Sequence, residues 1–161
     1  MKNIVLIGIM GCGKTTLSRM LGEKLNRPVI DIDEYIVEKY HQTIPEMFEV
    51  SETYFRNNET AGCKDVSDLN GHIISTGGGV VLRPENIKYL KQNGIIIYID
   101  RPIDNILTDV KLQSSFVKIT KLLEINKHQH ILKLVIIIVN DDTENITDKI
   151  IELITKNKFE D

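Results

Sequence analysis

The chain has 161 residues, of which 42% are hydrophobic. This length supports one hydrophobic core and excludes two ordinary domains, so we expect a single domain over residues 1–161. The formal net charge of −3 provides no general basic field that would indicate a nucleic-acid partner or an anionic membrane. Two cysteines are too few for a disulfide framework, and no apolar run approaches the length of a membrane span. We therefore expect a cytoplasmic protein.

A phosphate-binding motif follows the first apolar run. Residues 3–7 predict a buried strand, and leucines at helical spacing predict a helix over residues 14–25. Between them stands the pattern G-x-x-x-x-G-K-[ST], the P-loop, as Gly8-Ile9-Met10-Gly11-Cys12-Gly13-Lys14-Thr15. In such a loop the backbone N–H groups surround a phosphate, the lysine reaches the outer phosphates and the threonine hydroxyl ligates Mg²⁺. The sequence predicts a nucleoside triphosphate site.

Two carboxylates follow the second predicted strand, residues 28–31, in the run Asp31-Ile32-Asp33. An acidic residue beside a P-loop is the usual second anchor for Mg²⁺, which favours a functional role for this pair. The alternative is that one of them caps the helix predicted over residues 34–40. The two roles are compatible, and we expect one aspartate to cap the helix as well.

The polar stretch from residue 41 to 70 predicts two helices that stand off the sheet. Phe48 and Phe55 are seven residues apart and would share a helix face, either as plain core or beside a ligand. Arg56 is either a solvated surface charge or a planar donor that binds a carboxylate beside an aromatic ring.

Three glycines, Gly77-Gly78-Gly79, follow the third predicted strand at residues 72–76. They indicate either a close backbone approach to a ligand or a plain flexible turn. The remaining predictions are a helix over residues 84–92 that ends at Asn93-Gly94, a strand over 95–100, a short helix from Pro102, a helix over 118–132, a strand over 134–139, and a last helix capped near Thr143. Alternating strands and helices predict an α/β protein with a parallel sheet and helices on both faces.

Taken together, these residues resemble those of the shikimate kinases, small P-loop kinases that transfer a phosphate from ATP to the 3-hydroxyl of shikimate in aromatic amino-acid biosynthesis. The likeness covers roughly residues 1 to 109. It comprises the loop from Gly8 to Thr15 with Thr16, the Asp31-Ile32-Asp33 run, Phe48, Phe55-Arg56-Asn57-Asn58-Glu59, and Ser75-Thr76-Gly77-Gly78-Gly79-Val80-Val81-Leu82-Arg83-Pro84-Glu85-Asn86.

The resemblance implies a P-loop NTPase-type, three-layer α/β/α fold with a five-stranded parallel sheet, substrate-binding helices over about residues 33–66 and a lid over about 110–125. It also implies a monomer with two small-molecule substrates, ATP and shikimate, and Mg²⁺ as cofactor. The residues implied for ATP are Gly11, Cys12, Gly13, Lys14, Thr15 and Thr16.

The same resemblance assigns the remaining site residues. Thr15 would hold Mg²⁺ with Asp31 supporting it through water, and Lys14 and Asp33 would be the catalytic residues. Asp33 would contact the ring hydroxyls of shikimate, and Arg56 would pair with the substrate carboxylate. The backbone of Gly77, Gly78 and Gly79 would face the substrate, with Gly78 holding a hydroxyl.

The last third of the chain departs from the family pattern. Shikimate kinases carry an Arg-Pro-Leu-Leu type lid and a later arginine that grips the substrate carboxylate, whereas no arginine occurs here after Arg101. Ser114-Ser115-Phe116-Val117-Lys118 occupies the lid position. The available cations are lysines, whose ammonium does not reproduce a bidentate guanidinium. They are Lys111, Lys118, Lys121, Lys127 and Lys133.

The leading interpretation is an active shikimate kinase, and two alternatives remain open. The first is a kinase for another small polyol acid such as gluconate, which the N-terminal motifs disfavour. The second is a catalytically weakened protein that binds nucleotide and shikimate, which the missing arginines favour.

A pair of compensating reading-frame shifts would produce this departure, since the family pattern fails near Ser115 and a clear strand returns by Ile136. We expect translation of the other two frames of the coding DNA across residues 112–135 to give an Arg-Pro-Leu-Leu-like segment. Sequencing of the gene checks this, and the frameshift hypothesis fails if neither frame encodes such a segment.

Overall fold

The computed structural model describes residues 1–8, 13–100, 135–139 and 143–156. Several sequence predictions lie outside these ranges: Gly11 and Cys12 of the P-loop, the helix from Pro102, the lid over about 110–125 and the helix over 118–132.

Strands and helices alternate along most of the described chain. The strands are β1 (Asn3–Ile7), β2 (Val29–Asp31), β3 (Ile73–Ser75), β4 (Gly94–Asp100) and β5 (Val135–Val139). The helices are α1 (Lys14–Leu25), α2 (Ile32–Tyr40), α3 (Ile44–Val50), α4 (Glu52–Ser67), α5 (Pro84–Gln92) and α6 (Thr143–Lys156).

The described strands form one parallel sheet in the order β2-β3-β1-β4-β5. Strand β1 occupies the centre, pairing Ile4 with Ile73 of β3 and with Ile95 of β4. Every residue of β1 is buried, which requires that both faces of the sheet are covered there. The parallel α/β prediction is confirmed.

The helices pack in two groups. Helix α1 contacts β1, β2 and β3, and it also contacts α6, where Lys24 and Asp148 form an exposed ion pair at 2.9 Å. Helix α4 packs against α2, α3 and α5. The hydrophobic core lies between these helices and the sheet, and Ile36, Met47 and Leu90 are among its buried side chains.

Local capping separates α3 from α4. Thr43 begins α3 with a reciprocal capping box, in which its hydroxyl accepts from the Glu46 amide and the Glu46 carboxylate accepts from the Thr43 amide. Ser51 has extended backbone, with φ −175°, so the helix cannot continue through it, and its hydroxyl caps α4 by accepting from Tyr54 N at 2.9 Å. The two helices predicted for this stretch are thereby confirmed.

Helix α5 ends at Gln92 with Asn93 as its C-cap, so the helix predicted over residues 84–92 is confirmed, and Gly94 begins β4 one residue earlier than predicted. A Cβ atom on Gly94 would collide with the Leu90 carbonyl in the last turn of α5 and with Val5. The residues after the three glycines also form a short 3₁₀ turn, Val80–Leu82, which the sequence pattern did not indicate.

Within the described ranges, no helix combines the length and the apolar character that crossing a membrane would require.

Candidate active site

Three segments predicted to bind ligands leave the same edge of the sheet. Because β1, β2 and β3 are parallel, their carboxyl ends lie together. Gly8 follows β1, Asp31 and Asp33 stand at the end of β2, and the three glycines follow β3. This edge is where open α/β sheets bind their ligands.

The described part of the P-loop has the geometry of an anion site. Gly13 is the N-cap of α1 and has φ 87°, a left-handed conformation that favours glycine. The Lys14 side chain is only 7% exposed, and its ammonium donates to the Gly8 carbonyl at 2.6 Å. Thr15 and Thr16 are exposed in the first turn of the helix, where the partial positive charge of the helix dipole lies.

Asp31 and Asp33 have different environments. Asp31 caps α2 by accepting from the Glu34 amide at 3.1 Å, so the capping alternative is confirmed for this aspartate. Asp33, in the first turn of the same helix, has a buried Oδ1 without a hydrogen-bond partner in the structure. A Cβ atom built on Gly77 would lie 3.0 Å from that oxygen, which places the carboxylate directly against the glycine turn.

The pKa of the Asp33 carboxyl is raised above its usual value, first by burial and then by the nearby charge of Asp31. Lys14 and Arg56 act in the opposite direction and favour the ionised form. Asp33 is therefore under the electrostatic influence of both the P-loop lysine and the arginine of α4.

Arg56 lies on α4 beside two aromatic rings. The rings of Phe48 and Phe55 are stacked with centroids 4.5 Å apart, and the guanidinium carbon is 5.1 Å from the Phe55 centroid and 6.0 Å from that of Phe48. Phe55 is buried, whereas Phe48 remains 42% exposed, so the shared face is not plain core. The Arg56 side chain is 15% exposed, which rules out a freely solvated surface charge.

Glu59, to which the sequence analysis assigned no role, holds the Arg56 side chain in place. The two groups form an ion pair at 2.9 Å, and Glu59 is only 1% exposed. Burial raises the pKa of the Glu59 carboxyl, while the Arg56 guanidinium opposes that shift. The i,i+3 spacing on a helix was the available signal, because residues three apart are neighbours on the helix surface.

The glycine turn makes close contact with both functional side chains. A Cβ atom on Gly79 would collide with the Arg56 guanidinium, so a larger residue there would displace the end of the Arg56 side chain. The start of the turn is anchored to β1 by Thr76, whose buried hydroxyl donates to the Leu6 carbonyl at 2.8 Å. The structure thus brings Asp33, Arg56 and the glycines together, and these two side chains occupy the space beside Gly77 and Gly79. Close approach of this backbone to a ligand stays a prediction.

Among the described residues, no group of three or more His, Cys, Asp or Glu side chains could hold a metal ion alone. Mg²⁺ commonly takes only one or two protein ligands and completes its shell with water and substrate phosphates. One hydroxyl from Thr15 and one carboxylate from Asp31 fit that donor set.

The environment of Asp33 predicts that it lowers stability. Because its folded pKa is raised, ionisation at neutral pH disfavours the folded state, and this penalty disappears as the pH falls below the unfolded value. We expect Asp33→Asn to raise the free energy of unfolding by on the order of 1 kcal/mol at pH 7, or about 2–4 °C in Tm, with a smaller gain at acidic pH.

Thermal unfolding at a series of pH values measures this effect. Asp68→Asn is the matched control, because Asp68 is exposed at the end of α4. An unchanged or lower Tm for Asp33→Asn at pH 7 would contradict the assigned environment.

Comparison with known proteins identifies the family. The family model for shikimate kinase matches residues 10–156, which extends beyond the residues that carried the sequence resemblance. A shikimate kinase of Clostridium beijerinckii is 43% identical over 98% of each chain. A shikimate kinase of Clostridium botulinum is 45% identical, but over 68% of this chain and 67% of its own.

Solved structures agree with the sequence comparisons. The shikimate kinase from Acinetobacter baumannii in complex with shikimate superposes with a TM-score of 0.80 at 31% identity, covering 99% of this chain and 96% of that one. The enzyme from Aquifex aeolicus gives a TM-score of 0.80 at 28% identity over 97% and 98% of the two chains. The matching family model, the full-length relative and these superpositions agree, and the chain belongs to the shikimate kinase family.

Proposed function

We propose that this chain is an ATP-dependent kinase that phosphorylates the 3-hydroxyl of shikimate, yielding shikimate 3-phosphate and ADP. The observation that carries the proposal is the convergence of Asp33 and Arg56 on one glycine turn beside the P-loop. Shikimate carries one carboxylate and three hydroxyls, so it requires a cationic donor and several fixed polar groups. We further propose a monomer with a single three-layer α/β/α domain over residues 1–161 and five parallel strands in its sheet.

The ATP half of the site consists of the P-loop and the start of α1. We assign Gly11, Cys12, Gly13, Lys14, Thr15 and Thr16 to nucleotide binding. The Lys14 ammonium, which donates to the Gly8 carbonyl in this structure, is the group that would neutralise the outer phosphates. Mg²⁺, held by Thr15 and supported by Asp31, would supply further neutralisation of phosphate charge.

The shikimate half lies between α2, α4 and the glycine turn. We assign the substrate carboxylate to Arg56, because a guanidinium presents paired donors and this one lies against aromatic rings. Asp33 would accept from a ring hydroxyl through its partnerless Oδ1. The backbone of Gly77, Gly78 and Gly79 would contact the substrate, and at Gly77 and Gly79 the Asp33 and Arg56 side chains leave little room for a Cβ atom.

Phosphoryl transfer depends on positioning and charge neutralisation more than on covalent participation by the protein. Asp33 would orient the attacking hydroxyl, and its raised pKa makes it a better proton acceptor than an ordinary aspartate. Lys14 would stabilise the negative charge on the transferred group. The two catalytic residues thus act on opposite partners of the reaction.

The substrate assignment predicts a specific loss in Arg56 variants. Removal of one partner of a desolvated charge pair costs about 2 to 5 kcal/mol, so Arg56→Ala should weaken shikimate binding by that amount without changing ATP binding. Arg56→Lys should also weaken it, because an ammonium keeps the charge beside Glu59 but lacks the paired donors. Isothermal titration calorimetry with each ligand measures both effects.

Arg19→Ala is the control for charge removal, since Arg19 is exposed on α1. Shikimate binding by Arg56→Ala that equals the wild-type value would overturn the assignment of the substrate carboxylate to Arg56.

The missing arginines predict slow turnover. An arginine that acts on the transferring phosphate raises the rate by about 10³- to 10⁵-fold. A nearby lysine would recover only part of this factor, because its ammonium lacks the paired donors of a guanidinium. We expect both ligands to bind while ADP release with shikimate is slower than in family members that carry the lid arginine. A coupled ADP-release assay of the two enzymes side by side measures this difference.

Lys14→Ala should abolish the remaining activity through loss of ATP binding, which confirms that the measured rate comes from this site. Gluconate in place of shikimate tests the alternative acceptor. A turnover equal to that of the comparison enzyme would contradict the predicted impairment, and ligand binding without turnover would favour the binding-protein alternative.

A further inference from the structure

Asn86 is a buried amide behind the glycine turn that has no part in the site described so far. It lies in the first turn of α5 and is 0% exposed. Its Nδ2 donates to the Val80 carbonyl at 3.0 Å, while its Oδ1 is buried without a partner. An unpartnered buried acceptor lowers stability, so an apolar side chain of similar size would be the more stable choice unless the donor has a use.

The Val80 carbonyl lacks the donor that a continuous α-helix would supply, the N–H group of residue 84. Residue 84 is Pro84, which has no N–H group, so backbone pairing at this carbonyl is limited to the i,i+3 pattern of the 3₁₀ turn. The Asn86 amide supplies a buried donor to the same carbonyl.

This hydrogen bond fixes the far end of the glycine turn. The Val80 amide donates back to the Gly77 carbonyl at 3.2 Å, and the Leu82 amide donates to the Gly79 carbonyl at 3.0 Å. The Asn86 amide therefore holds a short network whose other members are the backbone groups that lie against Asp33 and Arg56.

A second tether joins the same segment to α4. Arg83, which precedes α5, donates from Nη1 to the Asn57 side chain at 2.9 Å in an exposed contact, and more weakly to the Thr60 hydroxyl at 3.4 Å in a part-buried one. Water competes for an exposed hydrogen bond, whereas the bond from Asn86 to Val80 lies where water does not reach. The buried bond is consequently the stronger constraint on the turn.

We propose that Asn86 is a positioning residue that holds the Gly77–Gly79 turn in the conformation that binds shikimate. The inference rests on the proposed function, and it assigns to α5 a role in substrate binding in addition to its packing against α4 and β4. Asn86 itself does not touch the substrate. Its effect acts through the backbone of the turn.

The test compares Asn86→Leu with Asn93→Leu. Asn93 lies at the opposite end of α5, and its amide likewise donates to a backbone carbonyl, that of Leu69, at 2.7 Å. Both variants therefore lose a hydrogen bond to a backbone carbonyl, and Asn93→Leu, at the C-cap of α5, also loses one to the Asn70 side chain. Only Asn86→Leu loses a bond at the glycine turn. Titration calorimetry with shikimate and, separately, with ATP and Mg²⁺ gives the dissociation constants.

We expect Asn86→Leu to raise the Kd for shikimate by about tenfold, the effect of one lost hydrogen bond, while the Kd for ATP changes less than about twofold. Asn93→Leu should leave both constants within about twofold of wild type even if it lowers Tm. If Asn86→Leu does not fold, Asn86→Ser replaces it, because serine is smaller and its hydroxyl is too short to reach the Val80 carbonyl.

Two results would overturn the inference: a shikimate Kd that is unchanged in the Asn86 variant, or an equal loss in Asn93→Leu, which would indicate a general stability effect. Failure of the proposed function is a separate outcome, because the wild-type protein itself would then not bind shikimate.

Discussion

Parallel pairing of β1 with β3 is the constraint on which the site depends. The ladder from Ile4 and Ile73 to Leu6 and Ser75 sets the two strands in register, so that the P-loop and the glycine turn leave the sheet at the same height. Pairing of β2 with β3 then brings Asp31 level with Ser75. The paired residues of β1 and β3 are buried and, except for Ser75, apolar, and none of them is assigned a role in the chemistry. A shift in the register of β3 would move the glycines relative to Asp33 and Arg56.

The site combines buried charges that the fold must tolerate. Arg56 and Glu59 are paired, so the desolvation of each is partly offset by the other. Asp33 has no such partner for its Oδ1, and burial raises its pKa as a result. An unpaired buried acceptor lowers stability in the free protein, and a hydroxyl of a bound substrate would satisfy it. The unsatisfied acceptor of Asp33 therefore lies where a bound ligand would donate a hydrogen bond to it.

The sequence predicted the parts of the structure that follow from local patterns. The P-loop pattern predicted a strand, a loop and a helix, and β1 and α1 begin and end within a residue of the expected positions. Apolar runs identified the strands because a parallel sheet buries both faces. Arg56 was identified as a candidate because a planar guanidinium beside an aromatic ring suits a bound carboxylate. Its assigned role, like that of Asp33, remains a prediction.

Features set by tertiary contact were not visible in the sequence. Helix α5 ends where the sequence predicted, but the close approach of Val5 and the Leu90 carbonyl to Gly94 has no local signal. The partnership of Glu59 with Arg56 required knowledge that their side of α4 faces inward. The two predicted roles of the aspartates could be separated only when the cap on Glu34 was seen to come from Asp31.

The Arg56 guanidinium has to serve two carboxylates in the proposed function. Its bond to Glu59 uses Nη1, and its buried Nε has no hydrogen-bond partner but lies 3.8 Å from the exposed Glu52 carboxylate. A guanidinium carries five N–H donors, so the resident carboxylate leaves donors for a second one. The single positive charge of Arg56, in contrast to its several donors, is already offset by the Glu59 carboxylate. No arginine follows Arg101 in the sequence that could add a second positive charge. The substrate carboxylate would therefore gain directional hydrogen bonds from Arg56 but little net electrostatic attraction. Substrate binding would then depend on the precise placement of hydrogen-bonding groups. The buried Arg56–Glu59 pair and the glycine turn provide that placement.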